Sequence, residues 1–310
     1  MSRSSGGAGG GAGDLREQAG AGALRLAYSP CPNDTFVFHA WVHGLLDGAP
    51  AVRERLEDID TLNSLARHDG ADVIKVSMHA FAFLRDSYAL LHSGGAMGRG
   101  VGPLVVVSKD SPLRPAPSLM RTAVLADELA KAKVAIPGER TTAALLAGLF
   151  TGGLLQAVVM PFDRIMPAVV RGEVDVGVII HEGRFTYGSY GLRRLVDLGE
   201  WWEETSGLPL PLGGIAVSRR LARAEQGLIE QAVRSSVERA LADPDATTDY
   251  VRAHSQEMDL QVCRAHIELY VNEYSVDYGV EGTEAIRQLL EAAATVGVTP
   301  PSDKGLFWDD

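Results

Sequence analysis

The run KVAIPGERTTAALLAGLFTGGLLQAVVMPFDRIMPAVVRGEVDVGVII, residues 133–180, decides the fold class. Three short β-branched segments, KVAIP from 133, QAVVM from 156 and VDVGVII from 174, alternate with helical stretches over 141–150 and 163–170. A glycine turn at 151–153 closes the first helix. From 141 to 162 there is no charge over a length that could cross a bilayer, but Gly152, Gly153 and Gln156 interrupt it. The spacing therefore predicts strand, helix, strand and helix of an α/β fold rather than a membrane span.

The same alternation extends in both directions. ALRLAY from 23, DVIKVS from 72, ALLHS from 89, PLVVVS from 103, LRRLVDL from 192 and GGIAVS from 213 complete nine expected strands. Most are continuous apolar runs, as in parallel sheets covered on both faces. Asp60 is expected to cap a helix over TLNSLAR, and Asp163 to do the same further on. After Ser218 the pattern turns helical. Residues 225–297 carry three or four helices, including GLIEQAVRSSVERALA and LQVCRAHIELYVNEY, with no strand between them. A return strand followed by terminal helices predicts a discontinuous first domain, 23–104 with 213–310, around an inserted second domain, 105–212. Strands at 103–109 and 212–218 are the expected hinges, since Gly- and Pro-rich sequence precedes each.

Composition narrows the function classes. The chain has 310 residues and a formal net charge of −11 with no block of Lys or Arg, which disfavours nucleic acid and anionic membranes as partners. Cys31 and Cys263 match no metal or disulfide spacing, which suits a reducing compartment. Residues 1–22, rich in Gly, Ala and Ser, lack the apolar core of a secretory signal and are expected to form a flexible tail. Cytoplasm is the expected location.

Strand ends are where open α/β sheets bind ligands. VDVGVII ends in Ile180 and His181, a histidine suited either to proton transfer near neutrality or to capping the sheet. DVIKVS ends in Ser77, whose hydroxyl is expected to hydrogen-bond a ligand, because no GxSxG elbow makes it a nucleophile. Thr141 and Thr142 open a helix after KVAIPGER, where an anionic oxygen can sit on free N–H groups. In YSPCPNDTFVFHAW the prolines fix a turn and Asn33, Asp34 or Thr35 opens a helix, while Cys31 has no cation beside it to make a thiolate. SGGAMGRGVG, 93–102, spells no phosphate loop and is expected to be mobile. His39 and His43 share a helical face without an HEXXH partner set, which gives packing rather than metal. Trp201-Trp202 is expected to be a buried anchor.

YSPCPNDTFVFHA, VSMHAFAFL, SGGAMGRGVGPLVV, IPGERTTA, VIIHEGRFTYGSYGL and DLGEWWEETSGLPLPLGGIAVSR, in this order, resemble the 1,4-dihydroxy-6-naphthoate synthase family of the futalosine route to menaquinone. The resemblance covers residues 24–308. It implies a two-domain fold like the periplasmic type II solute-binding proteins, with the ligand cleft between domains, and cofactor-free cleavage of cyclic dehypoxanthinyl futalosine. It further implies that His181 is the catalytic base and that Ser77, Thr141, Thr142, Ile180 and Leu212 contact the substrate, with no metal. Two alternatives stand beside it: chorismate dehydratase of the same pathway, and a non-catalytic solute-binding protein of the same fold. A metal-dependent hydrolase is a third. Oligomeric state is left open, a homodimer included.

Overall fold

A computed structural model describes residues 22–115, 119–181, 183–255 and 259–310. The expected tail falls almost wholly outside them, as does Glu182 in the loop after His181. All nine expected strands form, with two additions, and they divide between two sheets. The first contains β1 (Leu24–Tyr28), β2 (Val52–Leu56), β3 (Val73–Ser77), β4 (Tyr88–Leu90), β5 (Ala96–Gly98) and β11 (Leu210–Ser218), in the order β2-β1-β3-β11-β4 with β5 also on β11. The second contains β6 (Leu104–Ser108), β7 (Val134–Ile136), β8 (Ala157–Val159), β9 (Val176–Ile179) and β10 (Leu192–Asp197), in the order β10-β6-β9-β7-β8.

The sheets are mixed rather than parallel. β1, β2 and β3 run parallel to one another, as do β7, β8 and β9, because helices cross over between them. β11 returns antiparallel between β3 and β4, and β6 is antiparallel to both β9 and β10. The two strands expected as hinges thus lie inside sheets. The chain passes between the sheets just ahead of each, in the Gly- and Pro-rich connections themselves. The expected mobile segment is also corrected, since Ala96–Gly98 is a buried strand on β11.

Helix starts follow local chemistry with shifts of one or two residues. Asp58, not Asp60, caps Ile59–Arg67 by accepting from the N–H groups of Asp60 and Thr61. Phe162–Val170 starts after Pro161 with no side-chain cap, so Asp163 serves only as an acidic first-turn residue. Pro32–Val42 begins directly at the second proline, which leaves Asn33, Asp34 and Thr35 in its first turn and free for other partners. Trp202 is buried with its indole N–H on the Pro209 carbonyl, the anchor its sequence suggested. His39 and His43 pack on each other and on Tyr250. No helix among the described residues is long and apolar enough to cross a membrane.

The passage into the second sheet is held by close backbone approach. A Cβ on Gly102 would lie 2.2 Å from the Gly199 nitrogen, and Arg184 ties the Gly102 carbonyl to the Asp197 carboxylate through bonds of 2.6 Å each. Asp197 also caps Leu198–Ser206. Gly102→Ala is accordingly expected to cost about 1–3 kcal/mol, the usual range for overpacking. Urea unfolding measures this, and a variant as stable as the parent would show that the approach is not a constraint.

Candidate active site

The carboxyl ends of β1, β3, β7 and β9 converge on one half-open chamber of about 100 Å³. Its wall includes Ser77, Thr141, Thr142, Ile180, His181 and Leu212, so every residue that the family resemblance assigns to the site reaches the same space. A larger groove of about 460 Å³ adjoins it along Pro30 to Pro32 and Met160 to Asp163. Ile59, Ile180 and His181 border both, which places the histidine in the partition between them.

His181 follows β9 in the left-handed region, at φ +53°, a conformation that costs an ordinary L-residue about 1–2 kcal/mol. The turn is closed by the N–H of Gly183 on the Ile180 carbonyl at 3.1 Å. Phe162 packs edge-on to the imidazole with centroids 5.2 Å apart, and Cys31 Sγ stands 3.7 Å from Nδ1. The partly buried ring is thus fixed at the strand end rather than exposed on the surface.

The hydroxyl residues divide their work. Thr141 is a plain N-cap, accepting from Ala144 N–H and donating to the Gly138 carbonyl. Thr142 joins the two sheets: its hydroxyl accepts from Met78 N–H, after β3, and donates to the Leu212 carbonyl of β11. The N–H groups of Thr142 and Ala143 begin the helix and have no intrahelical acceptor. Ser77 Oγ accepts from Asn63 Nδ2 at 3.1 Å, while its backbone N–H donates to Asn63 Oδ1. Its hydroxyl proton therefore remains to be donated. Asn63 belongs to TLNSLAR, and nothing in that amphipathic pattern marks it as a support for the site.

A second group of lining residues was not assigned to the site from the sequence, where Asn33 and Asp34 served only to open a helix. Lys75 Nζ donates to Asp34 Oδ1 at 2.8 Å, and both side chains are almost fully buried. Asp34 also accepts from Ser29 Oγ at 2.6 Å and from Asn33 Nδ2 at 2.9 Å. Asn33 Oδ1 in turn meets His266 Nε2 at 3.1 Å. The His266 ring lies nearly parallel to that of His181, with centroids 6.1 Å apart. Lys75 had a visible signal, being the single charge in the strand VIKVS, 73–77. Gly213 makes room for it, since a Cβ there would come within 3.3 Å of Lys75 Cε.

Burial, with His181 and Lys75 nearby, pushes the His266 imidazolium pKa down from 6.5 to about 3. The unfolded chain takes up this proton near pH 6.5 and the folded chain does not until about 3, so folding loses stability as pH falls through that window. The loss is about 1.4 kcal/mol per pH unit. His39 and His79, also lowered by burial, add to it. His266→Phe is expected to flatten the decline by about one proton between pH 6 and 5, read from urea midpoints. An unchanged slope would contradict a neutral His266.

These strand ends, the partition histidine and the paired sheets can be set beside known proteins. The family model described as menaquinone biosynthesis matches residues 24–295. The chain belongs to this menaquinone-biosynthesis family. Among curated members of the menaquinone-biosynthesis family, one from Thermus thermophilus is 46% identical over 285 residues, covering 92% of this chain and 99% of the relative. Another, from Streptomyces coelicolor, is 48% identical over 286 residues, covering 90% and 96%. Both bear the name 1,4-dihydroxy-6-naphthoate synthase. A solved protein of Archaeoglobus fulgidus matches with TM-score 0.79 and 36% identity over 89% of this chain and 98% of that one. The periplasmic aliphatic sulphonate-binding protein of Escherichia coli matches with TM-score 0.62 at 13% identity, covering 93% and 91%. That last likeness establishes a solute-binding-protein-like fold for this member of the menaquinone-biosynthesis family.

Proposed function

We propose that this chain is a 1,4-dihydroxy-6-naphthoate synthase, a carbon–carbon lyase of menaquinone biosynthesis that acts in the cytoplasm on cyclic dehypoxanthinyl futalosine. The observation that carries the reading is His181, held in the partition between a small chamber and a larger groove in a chain of this family. His181 acts as general base. It removes an acidic C–H proton, the electron pair left behind forms a ring double bond as the bond to the sugar-derived part breaks, and that part departs with the bonding pair and takes back a proton, while formation of the aromatic ring draws the elimination forward. No cofactor takes part in this scheme.

The chamber is suited to the naphthoate half and the groove to the sugar-derived part. The substrate carboxylate meets the Ser77 hydroxyl and the first-turn N–H groups of Thr142–Phe150, where the helix end favours an anion. Thr141 holds that helix start, and Thr142 holds it against β11 through Leu212. Ile180 and Leu212 supply apolar wall against the ring. The sheets belong to two lobes, close to 23–104 with 213–310 and 105–212 but with Leu104 in the second sheet and Leu210–Leu212 in the first, closed over the ligand so that water is excluded while the base works.

Incubating the purified chain with the cyclic compound, in the presence of a chelator, is expected to yield the absorbance of 1,4-dihydroxy-6-naphthoate. Dehydration of chorismate in place of that reaction would assign the other enzyme of the pathway. Tight binding of the cyclic compound without its consumption would make the chain a binding protein.

A further inference from the structure

The hydrogen bonds around His266 determine which of its ring nitrogens carries the proton. Asn33 Nδ2 points at the Asp34 carboxylate, which can only accept while it is ionised against Lys75. Asn33 Oδ1 is therefore the end that faces His266, and it too can only accept. His266 Nε2 must hold the proton. Nδ1 is then a bare lone pair, and it is buried with no hydrogen-bond partner among the described residues. An acceptor left in that state inside a site wall is uncommon in folded proteins and asks for an explanation, a role in the site among them. His266 lines the chamber, 2% exposed, beside His181.

We infer that His266 Nδ1 accepts a hydrogen bond from a ligand hydroxyl on the ring being aromatised, one of the two hydroxyls that the dihydroxynaphthoate product carries. This rests on the function proposed above and goes beyond it by naming a specificity-determining contact. The neutral imidazole holds the oxygen next to the carbon from which His181 takes its proton. Asp34, Asn33 and Ser29 act behind it as positioning residues, keeping the proton on Nε2 and Nδ1 as the acceptor.

The product and naphthalene-2-carboxylate, which has the same ring and carboxylate but no hydroxyls, separate this contact from the rest of the site. Wild-type protein is expected to bind the product at least about tenfold more tightly, the scale of one hydrogen bond in a buried site. His266→Phe is expected to bind the two about equally, with naphthalene-2-carboxylate affinity unchanged. A variant that keeps the wild-type preference, or that loses affinity for both compounds alike, would overturn the inference while leaving the proposed function standing. Wild-type protein that binds neither compound would instead remove the reading of the chamber, and this contact with it. If His266→Phe does not fold, the ¹⁵N resonance of wild-type His266 Nδ1 decides the matter. A shift with product and none with naphthalene-2-carboxylate supports the contact, and equal shifts or none refute it.

Discussion

Replacing His181 by alanine is expected to lower kcat by about 10²- to 10⁴-fold, the span typical of a lost general base, while Kd for the substrate stays near its parent value. The split follows from where the residue sits. His181 borders the chamber, but the groups assigned to hold the carboxylate, Ser77 and the start of Thr142–Phe150, lie on other strands and keep their own supports. His181→Asn is the companion variant, because asparagine tolerates the left-handed backbone at this position without being a base near neutrality. Single-turnover measurements with both variants separate chemistry from binding. Turnover close to that of the parent in either would remove the base assignment, whereas a loss confined to Kd would recast His181 as a binding residue.

Lys75→Met is expected to be the most destabilising single change in the site. It would leave the Asp34 carboxylate buried without its cation, a situation that costs about 3–5 kcal/mol. Asp34 would retain Ser29 and Asn33 as donors, so the expected loss lies toward the lower end of that range. Removing both charges, with Lys75→Met and Asp34→Asn together, is expected to recover a large part of it, because the penalty belongs to the unpaired ion and not to the volume. A double-mutant cycle in urea gives the coupling directly. Single and double variants that fall short of the parent by independent, additive amounts would mean that the pair is not the electrostatic unit its geometry describes. The pair also suits a chain of net charge −11 to the anionic ligand proposed for it: the chamber's acid is neutralised at its own lysine, and the helix start presents N–H groups rather than a carboxylate.

The parts visible in the sequence were those governed by local chemistry. An apolar run such as VDVGVII can be little else than a covered strand, and the residue where it ends must emerge beside a ligand if the sheet binds one. His181, Ser77 and the Thr141-Thr142 pair were legible for that reason. β2 was not, because VRERL is a half-exposed edge strand whose charges break the apolar pattern. β5 was hidden in a glycine-rich stretch that reads as a loop until β11 is there to pair with it. The antiparallel return of β11 is likewise a non-local fact, since pairing direction leaves no trace in one strand's composition. His266 was the least visible of all. It is one histidine on an amphipathic helix, and its partner Asn33 lies 233 positions earlier, so only the folded chain brings the two together. Lys75 and Gly213 form a middle case, in which a charge inside a strand and a small residue beside it on the neighbouring strand signal a buried ion only when read as a pair.

The most direct test of the chamber as the reaction site is a crystal structure of His181→Ala with cyclic dehypoxanthinyl futalosine trapped in it. The expected complex has the carboxylate on Ser77 and the first turn of Thr142–Phe150, the naphthoate half inside the chamber, and the reacting C–H facing the place the imidazole held. A substrate seated wholly in the outer groove, with its reacting carbon out of reach of position 181, would contradict the account.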